Sequence, residues 1–186
     1  MLKFIETLKN IWTIDELKNR ILITLFFLII YRLAAQVVLP GVDYNIISDA
    51  QIAGGGGLLG LLNAFTGGAF ANASVVALGI MPYISASIVV QLMGVALPYL
   101  QKLQKEGESG RKKITQITRW LTIAICVVQA PAYLYGLGAL GVPDAAFVLG
   151  KGPFFIIPSV IILVTGCIFA MWLGEKITDR GIGNGI

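Results

Sequence analysis

The chain has 186 residues, 56% of them hydrophobic and only 13% charged, with no His and a formal net charge of +4. A soluble domain carries about 25% charged residues, so this composition and a mean hydropathy of +0.82 exclude one. The +4 balance does not mark a nucleic-acid binder either, because the basic residues lie between apolar runs rather than on one soluble face.

Four apolar runs approach or exceed the roughly 20 residues that cross a hydrocarbon core, which predicts an all-α integral membrane protein. Residues 1–20 come first. Ile5, Leu8 and Trp12 recur there at helical spacing among Lys3, Glu6, Lys9, Asp15, Glu16 and Lys18. Such a helix lies in the membrane interface or stays solvated beside it. Span 1 is predicted over 21–38, too long for the 7–15 residues of a signal-peptide core. Arg32, toward its outer end, snorkels or bonds to a neighbouring helix. Pro40-Gly41 then ends the helix.

An outer loop over 41–57 contains Asp43, Asp49 and the glycine run 54–57. The apolar stretch 58–72 follows, broken at Gly67-Gly68 and too short to cross a bilayer at about 1.5 Å per residue. It is buried in protein, lines a cavity or forms an interfacial re-entrant loop. Span 2 is predicted over 74–97 as a helix bent at Pro82 and stopped by Pro98. Residues 98–119 read as a basic loop turning at Gly107 and Gly110, with Glu106 and Glu108 as surface charges. Span 3 is predicted over 120–140, with Gln129 and Pro131 inside, and span 4 over 153–173 after a short outer loop. A glycine-rich tail closes the chain; 181–185 reads as a flexible turn, since it lacks the Lys-Ser/Thr ending of a phosphate loop.

Charge sets the orientation. Four Lys or Arg fall in the first twenty residues, six in 98–119 and two in the tail, whereas the outer segments hold only Lys151. This bias places the N-terminus, the 98–119 segment and the tail in the cytoplasm.

The residues offer little chemistry. Without His, and with no carboxylate pair inside a span, neither a catalytic centre nor a metal or cofactor site is expected. Cys126 and Cys167 fall inside apolar runs and read as packing residues. Ile80 and Ile84 stack on one helical face. They either line a constriction that excludes water by dewetting or face lipid and core. Ser87 and Gln91 continue that stripe, with Ser85 about 100° around the helix and Gln129 on the next span. They serve as interhelical glue or as a seam able to open.

The strings YRLAAQVVLPGVD, FTGGAFANASVVALGIMPYISASIVVQL, KEGESGRKKITQITR and MWLGEKITDRGIGNGI occur in that order from about residue 21 to the end. Together they resemble bacterial SecY, the channel subunit family of the Sec protein translocon. The resemblance implies the N-terminal half of a ten-span protein-conducting channel in the bacterial inner membrane. Ile80 and Ile84 then correspond to this half's share of the hydrophobic pore ring. The stretch 58–72, with Leu58, Leu59, Leu61, Leu62, Phe65, Gly67 and Gly68, corresponds to the plug helix. Ser85, Ser87, Gln91 and Gln129 correspond to polar lateral-gate residues.

The implied cytoplasmic contacts are Lys105, Arg111, Lys112 and Lys113. The implied partners are SecE- and SecG-like small subunits, the SecA motor, the ribosome, signal-bearing polypeptides, the lipid bilayer and membrane insertion factors. No enzymatic activity is implied. Members of this family are over twice as long, so the expectation is a fragment or incomplete form. The competing class is a secondary transporter or small-solute channel, which also uses broken helices but usually places a charged or coordinating site at mid-membrane.

Overall fold

A computed structural model describes residues 14–47, 66–139, 143–148, 150, 152–183 and 185. The described residues are helical, apart from connectors and two isolated antiparallel bridges, Val38 with Ser74 and Val42 with Phe147. Among the described residues, two helices are long and apolar enough to cross a membrane, and a third crossing results if one bent pair is counted as a single span.

Helix α1 runs from Asp15 to Ala34. Asp15 and Glu16 occupy its first turn and Arg32 its last, matching the helix dipole at both ends. None of its residues is buried, and Leu25, Phe26, Ile29 and Leu33 present a broad apolar surface.

Helix α2 runs from Met81 to Ala96, so the predicted 74–97 run is not one helix. Pro82 sits in its first turn rather than at a mid-helix bend. A proline there loses no hydrogen bond, and its fixed φ suits a helix start. Residues 74–80 instead form tight turns, with Ala73 at φ 46° and Gly79 at φ 54°.

Pro98 stops α2 as expected: Leu97 is extended, the conformation that a following proline enforces. The chain then turns by 101° into α3, Pro98–Lys105. Leu100 and Leu103 bury its apolar face, and the Gln101 side chain donates to the Val95 carbonyl at 2.6 Å. The basic 98–119 segment is therefore no loop. It is α3 followed by the opening turns of α4, which runs from Glu108 to Ala139. Thr115, Thr118 and Thr122 keep those turns helical while satisfying their hydroxyls, each donating to the carbonyl four residues back at 2.7–3.0 Å.

Helix α5, Pro153–Arg180, carries the longest buried stripe. Phe155, Ser159, Leu163, Gly166, Cys167, Ala170, Met171, Gly174 and Ile177 recur every three or four residues along it. The main core joins Leu163 and Phe155 of α5 to Ala130, Tyr133, Leu134 and Leu137 of α4, and to Leu39, Ala73, Ala77 and Leu78 of the connectors. A smaller cluster of Ala35, Ala69 and Val76 packs under Tyr31 and Phe169.

The tail is pinned at Gly181, Ile182 and Gly185 rather than left as a loose turn. Gly181 is buried, the Ile182 amide donates to the Thr24 hydroxyl of α1 at 3.1 Å, and the Gly185 amide donates to the Thr178 hydroxyl at 2.9 Å.

Gly166 is a close approach between α5 and the connector before α2. A Cβ there would collide with the Val75 carbonyl, which is backbone and cannot step aside. Gly166→Ala is therefore expected to destabilise the fold by about 1–3 kcal/mol. Gly136→Ala, with nothing near its would-be Cβ, should be neutral or stabilising by up to about 1 kcal/mol. Denaturant titration of both variants in detergent checks the pair, and equal effects would refute the packing account.

Candidate functional site: the connector before α2

Residues 66–80 form a compact loop that closes on itself. Gly79 lies against the Thr66 methyl group, its would-be Cβ only 3.8 Å away, so the two ends of the loop meet. Gly67 and Gly68 have φ of 62° and 94°, conformations a side chain would strain, and they reverse the chain immediately after Thr66. The Thr66 hydroxyl accepts the Phe70 amide at 3.1 Å, and the Ser74 hydroxyl accepts the Val76 amide at 3.1 Å. Ala69, Ala73, Ser74 and Ala77 are fully buried.

Three elements hold this loop. From the chain leaving α1, the Leu39 amide donates to the Ala73 carbonyl and the Val75 amide to the Val37 carbonyl, both at 2.9 Å. From the last turn of α1, the Arg32 guanidinium donates to the Gly67 carbonyl, while the Tyr31 hydroxyl rests against Gly79. From α4, the Tyr133 hydroxyl donates to the Phe70 carbonyl at 2.7 Å, its ring edge-on to Phe70 with centroids 4.9 Å apart. Arg32 thus bonds to a backbone carbonyl of the loop rather than to a neighbouring helix. A cavity of about 480 Å³ remains beside it, lined by Gln36, Tyr44, Gly67, Gly68 and Asn72.

The loop delivers Ile80 to the N-cap of α2, and Ile84 follows one turn on, its amide donating to the Ile80 carbonyl at 3.1 Å. Ile84 is 39% exposed and Ile80 partly so. Farther along α2 the Gln91 amide donates to the Ser87 hydroxyl at 3.1 Å. That bond joins two residues of one helix rather than two helices. Ser85 and Gln129 are exposed on α2 and α4. Lys105, Arg111, Lys112 and Lys113 are exposed on α3 and the start of α4, with Lys113 3.5 Å from Glu106. A second cavity of about 450 Å³ is lined by Glu108, Arg111, Lys112, Thr115, Gln116 and Arg119. Leu58, Leu59, Leu61, Leu62 and Phe65 lie outside the described residues. Cys126 and Cys167 are buried free thiols on α4 and α5.

Two features escaped sequence reasoning. Tyr133 stands two residues after Pro131 in an apolar run, and a phenol in that setting needs a partner, which was the available signal. Arg119 makes a two-pronged ion pair with Glu175 across α4 and α5, at 2.9 and 2.5 Å. Neither residue had a local sequence signal, because they are far apart in the chain and meet only when the helices pack.

These features define a helical membrane-type protein in which a closed, non-helical loop seats the start of a short apolar helix against its neighbours. The SecY family profile matches residues 74–186, and the chain belongs to that family. It is 45% identical over 171 residues to the protein translocase subunit SecY of Haemophilus influenzae, an alignment covering 92% of this chain and 38% of that protein. It is 44% identical over 184 residues to the same subunit of Streptomyces coelicolor (92% and 41%) and 44% identical over 173 residues to that of Escherichia coli (93% and 39%). The chain thus spans about two fifths of the length of the curated relatives it matches.

The Arg119–Glu175 pair supplies a prediction. The Glu175 side chain is only 18% exposed and the geometry is bidentate, so the coupling should reach about 1 kcal/mol, the top of the range for surface pairs. A double-mutant cycle with Arg119→Gln and Glu175→Gln measures it by unfolding in detergent. Additivity within about 0.3 kcal/mol would show the pair to be idle.

Proposed function

We propose that the chain is the N-terminal half of a protein-conducting channel subunit that moves signal-bearing polypeptides across or into the bacterial inner membrane. The observation that carries this reading is the closed loop 66–80. It brings Thr66 against Gly79, the residue that leads into Ile80 at the N-cap of α2. In this reading 58–72 is the plug, and Ile80 and Ile84 contribute to the ring that it seals. Family membership and helices fit for a bilayer support the same reading.

In this account the channel is passive. Branched side chains at a constriction exclude water and ions, yet yield to a larger chain pushed through. A signal helix separates the lateral gate, where Ser85, Ser87, Gln91 and Gln129 offer polar contacts weak enough to part. Four crossings, by 21–38, by the 74–97 stretch through α2, and by the apolar parts of α4 and α5, leave residues 1–20 in the cytoplasm. Lys105, Arg111, Lys112 and Lys113 face cytoplasmic partners, namely the SecA motor or the ribosome. SecE- and SecG-like subunits pack against the apolar helices, and insertion factors assist the clients destined for the bilayer.

The test uses a complete channel carrying this half. Ile80→Gly with Ile84→Gly should raise resting ion conductance in planar bilayers, and a photo-crosslinker at Ser85 or Gln91 should capture a precursor only when its signal is intact. Unchanged conductance together with signal-independent labelling would overturn the reading.

A further inference from the structure

Two side chains from different helices hold the opening of the closed loop. Arg32, in the last turn of α1, donates to the Gly67 carbonyl, and Tyr133, on α4, donates to the Phe70 carbonyl three residues later at 2.7 Å. Arg32 is exposed at the edge of an open cavity, whereas Tyr133 is 7% exposed within the main core. The Gly67 carbonyl belongs to the glycine reversal, and the Phe70 carbonyl lies just beyond it.

We infer that Arg32 and Tyr133 are a two-point clamp that fixes the seat of Ile80 and so sets how firmly the channel stays shut without a signal. The inference rests on the channel reading above and adds to it two positioning residues outside the ring, plug and gate. The path is short and physical. The clamp holds Gly67 and Phe70, the loop closes from Thr66 onto Gly79, and Gly79 leads directly into Ile80 at the start of α2. Tyr31, next to Arg32, braces the other end of the same loop at Gly79. One turn of α1 therefore grips the loop at both ends. Arginine suits the task because it is permanently charged and presents a rigid fork of donors to a carbonyl.

The experiment uses the complete channel in proteoliposomes and reads the ratio of transport of a signal-less precursor to that of the signal-bearing form. Arg32→Gln and Tyr133→Phe should each raise this ratio by about tenfold, the shift in a two-state equilibrium that goes with losing one strong hydrogen bond. Arg32→Lys, which keeps the charge and a donor, should return the ratio most of the way to wild type. A residue that merely stabilised the fold would lower both transports together and leave the ratio unmoved, which would overturn the clamp. If Arg32→Gln fails to accumulate, Tyr133→Phe decides alone, since it keeps the packed ring and removes only the donor. An unmoved ratio in these variants, with a raised one in Ile80→Gly, would discard the clamp and leave the channel reading intact. Absence of any signal-dependent transport by the wild type would overturn both.

Discussion

A run of non-helical backbone between apolar helices must satisfy its own amides and carbonyls, because each one left bare away from water costs several kcal/mol. Residues 66–80 meet this demand and the rest of the architecture follows. The Ala73 and Val37 carbonyls pair with amides across the bridge, while the Gly67 and Phe70 carbonyls receive side-chain donors from α1 and α4. The helices are accordingly placed around this loop. Helix α5 brings Gly166, with no side chain, against the Val75 carbonyl. Helix α4 brings Tyr133, and the end of α1 brings Tyr31 and Arg32. Even the left-handed Ala73, a conformation that costs an ordinary residue about 1–2 kcal/mol, is held by the Leu39 amide on its carbonyl.

Seen from the loop, the polar residues of this apolar chain fall into distinct roles. The threonines of α4 satisfy themselves within their own helix and ask nothing of a neighbour. Arg119 and Glu175 tie α4 to α5, and Thr24 and Thr178 tie the 181–185 segment to α1 and α5. Ser85, Gln91 and Gln129 remain on the surface. That division separates a body fixed by polar bonds from exposed polar groups on α2 and α4, and the fixed body supplies the frame against which α2 is positioned.

Much of this was legible in the residues. The apolar runs, the stop at Pro98, the break at Gly67-Gly68 and the membership of the SecY family all follow from sequence. The structure differed where two signals competed. Pro82 in the middle of an apolar run reads as a kink, but proline is equally at home in the first helical turn, and the preceding Gly79 at positive φ favours that second use. The 98–119 stretch reads as a loop because it is charged, yet Leu100 and Leu103, three residues apart on α3, are buried, as is Thr118 on α4. The glycines of the tail suggest freedom, whereas Gly181 packs closely against Thr24 and Gly185 against Gly174, and Gly183 has a positive φ. Arg32 and Tyr133 were illegible as a pair, since the carbonyls they capture have no signature in side chains.

The central claim is that the loop 66–80 is a fixed seat, bound to the chain leaving α1 while α2 performs its function. Val38 and Ser74, paired across the antiparallel bridge, test this most directly. Cysteines at both positions, in a complete channel with Cys126 and Cys167 replaced by alanine, would be oxidised in native-like bilayers and then given a signal-bearing precursor. The account predicts a disulfide in high yield and transport that continues unimpaired, because the crosslink joins parts that never separate. Failure to crosslink, or a crosslink that blocks transport until it is reduced, would show that the loop itself moves and would contradict the account.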